Sequence, residues 1–231
     1  LNYIESNFNL EDFDFVISSH EPAVDSLIGL CLKKKHPDLR WVGDFGDPYV
    51  ALYTPKAKLW FENPIEEKVY SNCDLNVFTN PKAVEILRHK YPSLGQSKFS
   101  VIPQGYDALV PPRERGKKNK TLTFFYAGSF YHDYRNPKAF IEAIAKSNFD
   151  CKILLAGRNE NFLPLFKPID EKVEYLGLLS NDEVQEIQRK SDFLLYFANQ
   201  SESFSQVPGK IYEMIGSETP LFGIFHSEKS Y

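Results

Sequence analysis

Val207-Pro-Gly-Lys-Ile-Tyr-Glu-Met-Ile-Gly-Ser-Glu-Thr-Pro220 lies between two apolar runs, Phe193-Leu-Leu-Tyr-Phe197 and Leu221-Phe-Gly-Ile-Phe225. The stretch reads as a turn, a helix over 208–217 and a second turn, joining two buried strands. Pro208 and Gly209 stand where the helix opens: a proline there loses no needed hydrogen bond, and a glycine lets a ligand approach the backbone. Lys210 and Glu213 share one face of the first turns. Unbonded amides beside a lysine suit a phosphate, and an acceptor-only carboxylate suits sugar hydroxyls. The alternative is an ordinary Lys–Glu pair on the surface.

The strand–helix alternation extends outward through the whole chain. Strands are expected at 13–18, 39–43, 75–79 and 99–102, with helices at 23–35, 65–72 and 81–91 between them. Further on, strands at 122–127, 151–156, 173–176, 193–197 and 221–225 alternate with helices at 137–146 and 182–190, the latter with Asn181 as its cap. This βαβα order predicts mainly parallel sheets with helices on both faces. The run 104–120, rich in glycine, proline and charge, separates the halves. The expected organisation is a first α/β domain over 1–107, a linker over 108–120 and a second α/β domain over 121–231. Two such units leave a cleft at their strand carboxyl ends, where open parallel sheets bind ligands.

Composition narrows the classes. The chain has 231 residues, 42% hydrophobic and 25% charged, with net charge −4. That balance is ordinary for a globular protein and gives no global field for nucleic acid. The basic run Arg113-Glu-Arg-Gly-Lys-Lys-Asn-Lys120 falls between the halves and reads as a solvated linker. Cys31, Cys73 and Cys151 are dispersed and lack metal-ligand spacing, which fits a reduced, cytoplasmic protein. No apolar run reaches the ~20 residues of a membrane span. No GxGxxG opens any strand–helix unit, which argues against a Rossmann dehydrogenase.

Several further motifs sit at strand ends. Ser18-Ser-His-Glu-Pro22 places His20 after the first strand, where a histidine can handle protons or cap the next helix. Asp44-Phe-Gly-Asp-Pro48 follows the second strand; Asp44 and Asp47 either flank an acceptor hydroxyl or fix a turn. Val101-Ile-Pro-Gln-Gly-Tyr-Asp107 precedes the linker. Tyr126-Ala-Gly-Ser-Phe-Tyr131 offers Gly128 and Ser129 to a diphosphate, and Arg135 suits a phosphate through its planar fork, with Lys138 as competitor. Ala156-Gly-Arg158 and Tyr175-Leu-Gly-Leu-Leu-Ser180 close two more strands.

Taken together, these segments resemble the family 4-like ("group 1") glycosyltransferases of the GT-B fold. Glu213-Met-Ile-Gly-Ser-Glu-Thr-Pro220 resembles the family's E-A-x-A-x-G-x-P segment, Val101–Asp107 its V-I-P-N-G-V-D, and Tyr126–Lys138 its Y-x-G-S-x-Y…R-x-P. The fuller PGKIYE form looks like a subset acting in cell-surface polysaccharide assembly. The resemblance implies two Rossmann-like domains facing a cleft, both incomplete in this chain, with acceptor in the first half and nucleotide-sugar in the second. It implies a donor site built from Gly128, Ser129, Arg135, Gly209, Lys210 and Glu213, with Glu213 on the ribose. His20 would lie beside the transferred sugar and Lys210 would serve the leaving diphosphate, these two being the catalytic pair; Asp44 and Asp47 would lie on the acceptor side. Neither a metal nor another cofactor is implied. The chain departs from the family at Ser205, where a second glutamate is usual; Glu202 is near but misplaced.

The expected activity is retaining transfer of a sugar from a nucleotide-sugar donor to a saccharide or lipid-linked acceptor, in cell-surface polysaccharide or glycoconjugate biosynthesis. The expected partners are these two substrates, with peripheral association at the inner face of a membrane and no nucleic acid. The alternatives are a sugar-nucleotide 2-epimerase and an inactive nucleotide-sugar-binding protein.

Overall fold

Short apolar strands linked by amphipathic helices bury their backbone polar groups most economically in parallel sheets, and both halves of the chain do so. The computed structural model describes residues 1–20, 22–50, 54–106, 121–132, 135–147, 149–198 and 208–225. The expected linker with the basic run, Glu202 and Ser205 lie outside the described residues. The chain divides into two units, the first over Leu1–Gln104 and the second from Gly105 on.

The first unit holds β1 (Phe15–Ser19), β2 (Arg40–Phe45), β3 (Leu75–Phe78) and β4 (Phe99–Val101), with α1 (Asn2–Asn7), α2 (Val24–Lys35), α3 (Lys56–Asn72) and α4 (Pro81–Lys90). All strand pairs are parallel, in the order β1-β2-β3-β4. Parallel crossovers are right-handed, so a sheet that adds strands in one direction carries its connecting helices on one side. The core agrees: Leu30 of α2, Val69 and Tyr70 of α3, and Val84 and Leu87 of α4 join one cluster with Trp41, Phe45, Phe78 and Phe99. Phe15 and Ile17, on the opposite side of β1, are exposed. Helices on both faces, as expected from the alternation, are therefore not what this unit shows.

Two local features differ from the sequence reading. α3 begins at Lys56, before the predicted 65, and carries Pro64 inside it. Pro64 lies on the solvent side, where water can satisfy the carbonyl it leaves without a donor. The cap of α6 (Asn181–Lys190) is Ser180 rather than Asn181. Ser180 Oγ accepts from the Glu183 amide while the Glu183 carboxylate takes the Ser180 amide, a reciprocal pair that fixes the helix start. α4 opens on Pro81, capped by Asn80, whose Oδ1 accepts from the Lys82 and Ala83 amides at 2.8 and 3.1 Å.

The second unit holds β5 (Leu122–Ala127), β6 (Cys151–Ala156), β7 (Val173–Gly177), β8 (Phe193–Phe197) and β9 (Leu221–Ile224), all parallel, in the order β7-β6-β5-β8-β9. α5 (Lys138–Lys146) and a 3₁₀ segment (Glu160–Lys172) pack Phe140, Ile141, Phe162 and Phe166 against Tyr126, Ile153 and Leu155. α6 and α7 (Lys210–Gly216) pack Val184, Ile187 and Met214 against Phe125 and Leu194 on the other side. The chain builds outward from β5 to β7, then returns to add β8 and β9 beyond β5. That reversal leaves a switch point between β5 and β8, at whose carboxyl end such sheets bind ligands.

Candidate functional site

The residues that follow β5 and those that open α7 meet at this switch point. β5 ends at Ala127, and Gly128 continues with φ +153°, a conformation that disfavours any side chain. A Cβ there would also lie 2.8 Å from Lys210 Nζ. Gly157, after β6, has φ +110°, and a Cβ on it would lie 2.4 Å from the Gly128 carbonyl oxygen. Two glycine backbones therefore pack directly on each other. Asn159, fully buried, fastens them: its Nδ2 donates to the carbonyls of Gly128 and Ala156 at 2.8 and 3.2 Å, and its Oδ1 accepts from the Phe130 amide at 3.0 Å.

Lys210 is the first residue of α7. Its Nζ stands 5.0 Å from the centre of the Tyr126 ring and 3.5 Å from the Ala127 carbonyl. Burial, and then the charge of Arg135, lower its pKa to about 8. Arg135 is tied to the Gly128–Ser129 turn, its Nη1 donating to the Ser129 carbonyl at 3.3 Å. The Tyr126 hydroxyl donates to the same carbonyl at 3.0 Å, and burial pushes that phenol up to about 12. Tyr131 and Arg135 exchange backbone hydrogen bonds at 3.1 Å, which closes the loop on itself.

Gly209 has ordinary helical angles, so its lack of a side chain is not demanded by the backbone. The Ile211 and Tyr212 amides already bond the Pro208 and Gly209 carbonyls at 3.0 Å, which leaves the Gly209 and Lys210 amides without a backbone partner among the described residues. Lys210 and Glu213 form no ion pair with each other. Both line a cavity of ≈ 90 Å³ that runs between β5, β8, α6 and α7 to Gln188. The Gln188 Oε1 is buried and has no hydrogen-bond partner there.

Five of the second-unit residues expected from sequence, Gly128, Ser129, Arg135, Gly209 and Lys210, thus gather at one sheet edge, with Glu213 one turn on. Ser129 contributes its carbonyl to the loop's own bonding. The sequence reading did not single out Tyr126 or Asn159 as individual contributors. Asn159 carried one signal: a polar residue directly after a Gly-Arg strand end, at a point where buried carbonyls need donors. Gln188 carried none, since it stands in the last turn of a helix rich in polar residues.

In the first unit, His20 follows β1, and its amide donates to the Asp44 carbonyl at 2.8 Å. Its ring packs on Tyr49 and Phe45, with centroids 4.9 and 5.6 Å apart, and its Nδ1 is 3.4 Å from Ser26 Oγ. Asp44 alternates with buried Gly43 and Phe45, so its exposed carboxylate points away from the helical layer on which the His20 ring lies. Asp47 lies in the following turn, which is held from behind by Glu66. That carboxylate, fully buried, accepts from the Val50 amide at 2.9 Å and the Tyr91 and Tyr70 hydroxyls at 2.6 and 3.2 Å, and pairs with Lys90. The Tyr70 hydroxyl in turn accepts from the Tyr49 amide at 2.8 Å. Among the described residues no cluster of three His, Cys, Asp or Glu side chains could hold a metal ion.

No protein-family model and no curated protein sequence matches the chain. Solved structures do. Anabaena Alr3699/HepE in complex with UDP superposes with a TM-score of 0.68 at 10% identity, over 95% of this chain and 61% of that one. The lipopolysaccharide outer core galactosyltransferase WaaB superposes at 0.64 with 16% identity, over 96% and 59%. The chain has the GT-B fold. A putative UDP-N-acetylglucosamine 2-epimerase from Listeria monocytogenes shares it, with a TM-score of 0.58 at 12% identity over 99% and 60%. This GT-B chain thus spans about 60% of the length of these three structures.

Proposed function

We propose that the chain transfers a sugar from a nucleotide-sugar donor to a saccharide or lipid-linked acceptor with retention of configuration, in cell-surface polysaccharide or glycoconjugate biosynthesis. The observation that carries this reading is the placement of Lys210 Nζ against the Gly128 turn at the β5–β8 switch point. A diphosphate laid along Gly128 and Ser129 meets that amine, the Arg135 guanidinium and the Gly209 and Lys210 amides. These groups stabilise the charge that builds on the diphosphate as its bond to the sugar breaks, without a metal or other cofactor. Glu213, one turn on, accepts from ribose hydroxyls. From the family resemblance, His20 would serve the transferred sugar, and Asp44 and Asp47 the acceptor. The acceptor hydroxyl attacks from the face that the diphosphate leaves. The HepE structure, a UDP complex on the same fold, supports the donor class. A cytoplasmic protein at the inner face of a membrane suits a cytoplasmic nucleotide-sugar.

Calorimetric titration with UDP, GDP, ADP and their sugar conjugates, on the native protein and Glu213→Ala, tests the donor site. One nucleotide should bind and lose affinity in the variant; no binding by any of them overturns the reading. The Listeria epimerase structure keeps a second reading open, sugar-nucleotide 2-epimerisation. Product analysis separates the two: transfer consumes an acceptor, whereas epimerisation changes the sugar on an intact donor.

A further inference from the structure

Ser26, in the first turn of α2, is fully buried, and among the described residues its hydroxyl has one partner, the His20 ring. A helical serine ordinarily gives its proton to a carbonyl one turn back. Here Ser26 Oγ lies 3.4 Å from His20 Nδ1 instead. Two proton placements fit that contact. If Nδ1 carried the proton and donated, the serine's own proton would be sealed in without an acceptor among the described residues. If the serine donates, its proton is satisfied, Nδ1 accepts, and only spare lone pairs of the hydroxyl go unused. A buried donor without a partner is the costlier omission. The neutral ring therefore carries its proton on Nε2, the nitrogen away from Ser26.

Other contacts hold the ring itself. The His20 backbone is fixed by its amide bond to the Asp44 carbonyl, and Phe45 and Tyr49 pack against the imidazole. Phe45 is locked in the core. Tyr49 sits in the turn after β2, and one carboxylate secures that turn at two successive amides. Glu66 accepts from the Val50 amide directly, and from the Tyr70 hydroxyl, which accepts from the Tyr49 amide. Glu66 and Tyr70 are both fully buried, so the core of the unit supports this turn. We infer that Ser26 and Tyr49 are positioning residues for His20: Ser26 sets the tautomer, Tyr49 sets the ring's orientation, and the ring meets a substrate as an N–H donor rather than as a base. The inference rests on the proposed function only in taking that substrate to be the transferred sugar, whose hydroxyl oxygens accept such a bond.

Nitrogen NMR on protein carrying isotope-labelled histidine reads the ring with neither donor nor acceptor present. The chain has five histidines, and the set of signals lost in His20→Gln assigns His20. At about pH 8.5, roughly two units above an ordinary imidazole, two-bond proton–nitrogen correlations should show the proton on Nε2 and an unprotonated, hydrogen-bonded Nδ1. Ser26→Ala should move the Nδ1 resonance to the position of an unbonded ring nitrogen, and Ser26→Thr, which keeps the hydroxyl, should restore it. Tyr70→Phe should leave the tautomer and shift the carbon-bound ring protons, because Tyr49 loses its anchor. Circular dichroism confirms that these variants fold. A proton on Nδ1 in the native protein, or an Nδ1 resonance unmoved by Ser26→Ala, overturns the inference. The nucleotide titration fails separately: the expected spectra without nucleotide binding uphold the positioning of His20 and overturn the donor site, whereas UDP binding with an unmoved Nδ1 does the reverse.

Discussion

At the scale of single residues, the proposed donor site turns on an amine whose pKa burial lowers. Burial, and then the charge of Arg135, lower the Lys210 pKa to about 8, while burial pushes the Tyr126 phenol beneath it up to about 12. UDP affinity should therefore be flat below about pH 8 and fall as pH rises through it, since the neutral amine no longer meets the diphosphate charge; calorimetry across pH 6.5–9.5, about three units around that value, checks this. Stability without ligand should run the other way. The unfolded lysine keeps its proton to 10.5, so between about 8 and 10.5 the unfolded state binds more protons and the folded state gains as pH rises. Lys210→Ala should weaken UDP binding about 10- to 100-fold, the worth of a charge-assisted contact, and remove the pH dependence. Gly157→Ala should cost roughly 1–3 kcal/mol in denaturant unfolding, because it combines a positive φ with a clash against backbone that cannot turn away. Gln188→Leu should be neutral or stabilising, since it removes a buried oxygen that has no donor.

At the scale of elements, the strands were legible because each is a short apolar run bounded by turn residues; β5, β6 and β8 begin and end where the pattern places them. The misses have physical reasons. Pro64 hid the first half of α3, because a proline reads as a helix end unless its solvent side is known. The 3₁₀ segment over Glu160–Lys172 carries Pro164 and Pro168 and no helical or strand period, yet it buries Phe162 and Phe166. Which face each helix covers depends on strand order, and local periodicity does not contain it. The candidate site was legible where backbone constraint dictates residue type, as at Gly128, and illegible where a common polar residue gains its role from distant partners, as at Asn159 and Glu66. Glu66 joins α3, α4 and the turn after β2 through one buried carboxylate. Removing it as Glu66→Ala leaves Lys90, two tyrosines and an amide to find other partners, and should cost about 3–5 kcal/mol in urea unfolding. It should also release the turn that holds Tyr49 against His20, visible as a shift of the His20 ring protons in NMR spectra.

At the scale of the molecule, the two units carry separate cores, and the tryptophan label sits in one of them. Trp41 and Trp60 both belong to the first unit, whereas the proposed donor site lies wholly in the second. Saturating UDP, at about 100 times its dissociation constant, should stabilise the state it binds by about 2.7 kcal/mol. Circular dichroism at 222 nm (roughly the helical band) should then show a second transition shifted upward, while tryptophan fluorescence keeps its midpoint. Coincident shifts in both signals would mean that the two units unfold as one. The strand order β7-β6-β5-β8-β9 also sets a schedule. The chain lays down its central strand first, and the amine that meets the turn after it arrives 83 residues later. At ribosomal rates of about 5–20 residues per second, that interval is roughly 4–17 s. A nascent chain can therefore complete the sheet of its first unit before the two halves of the proposed donor site, the turn after β5 and the start of α7, can meet.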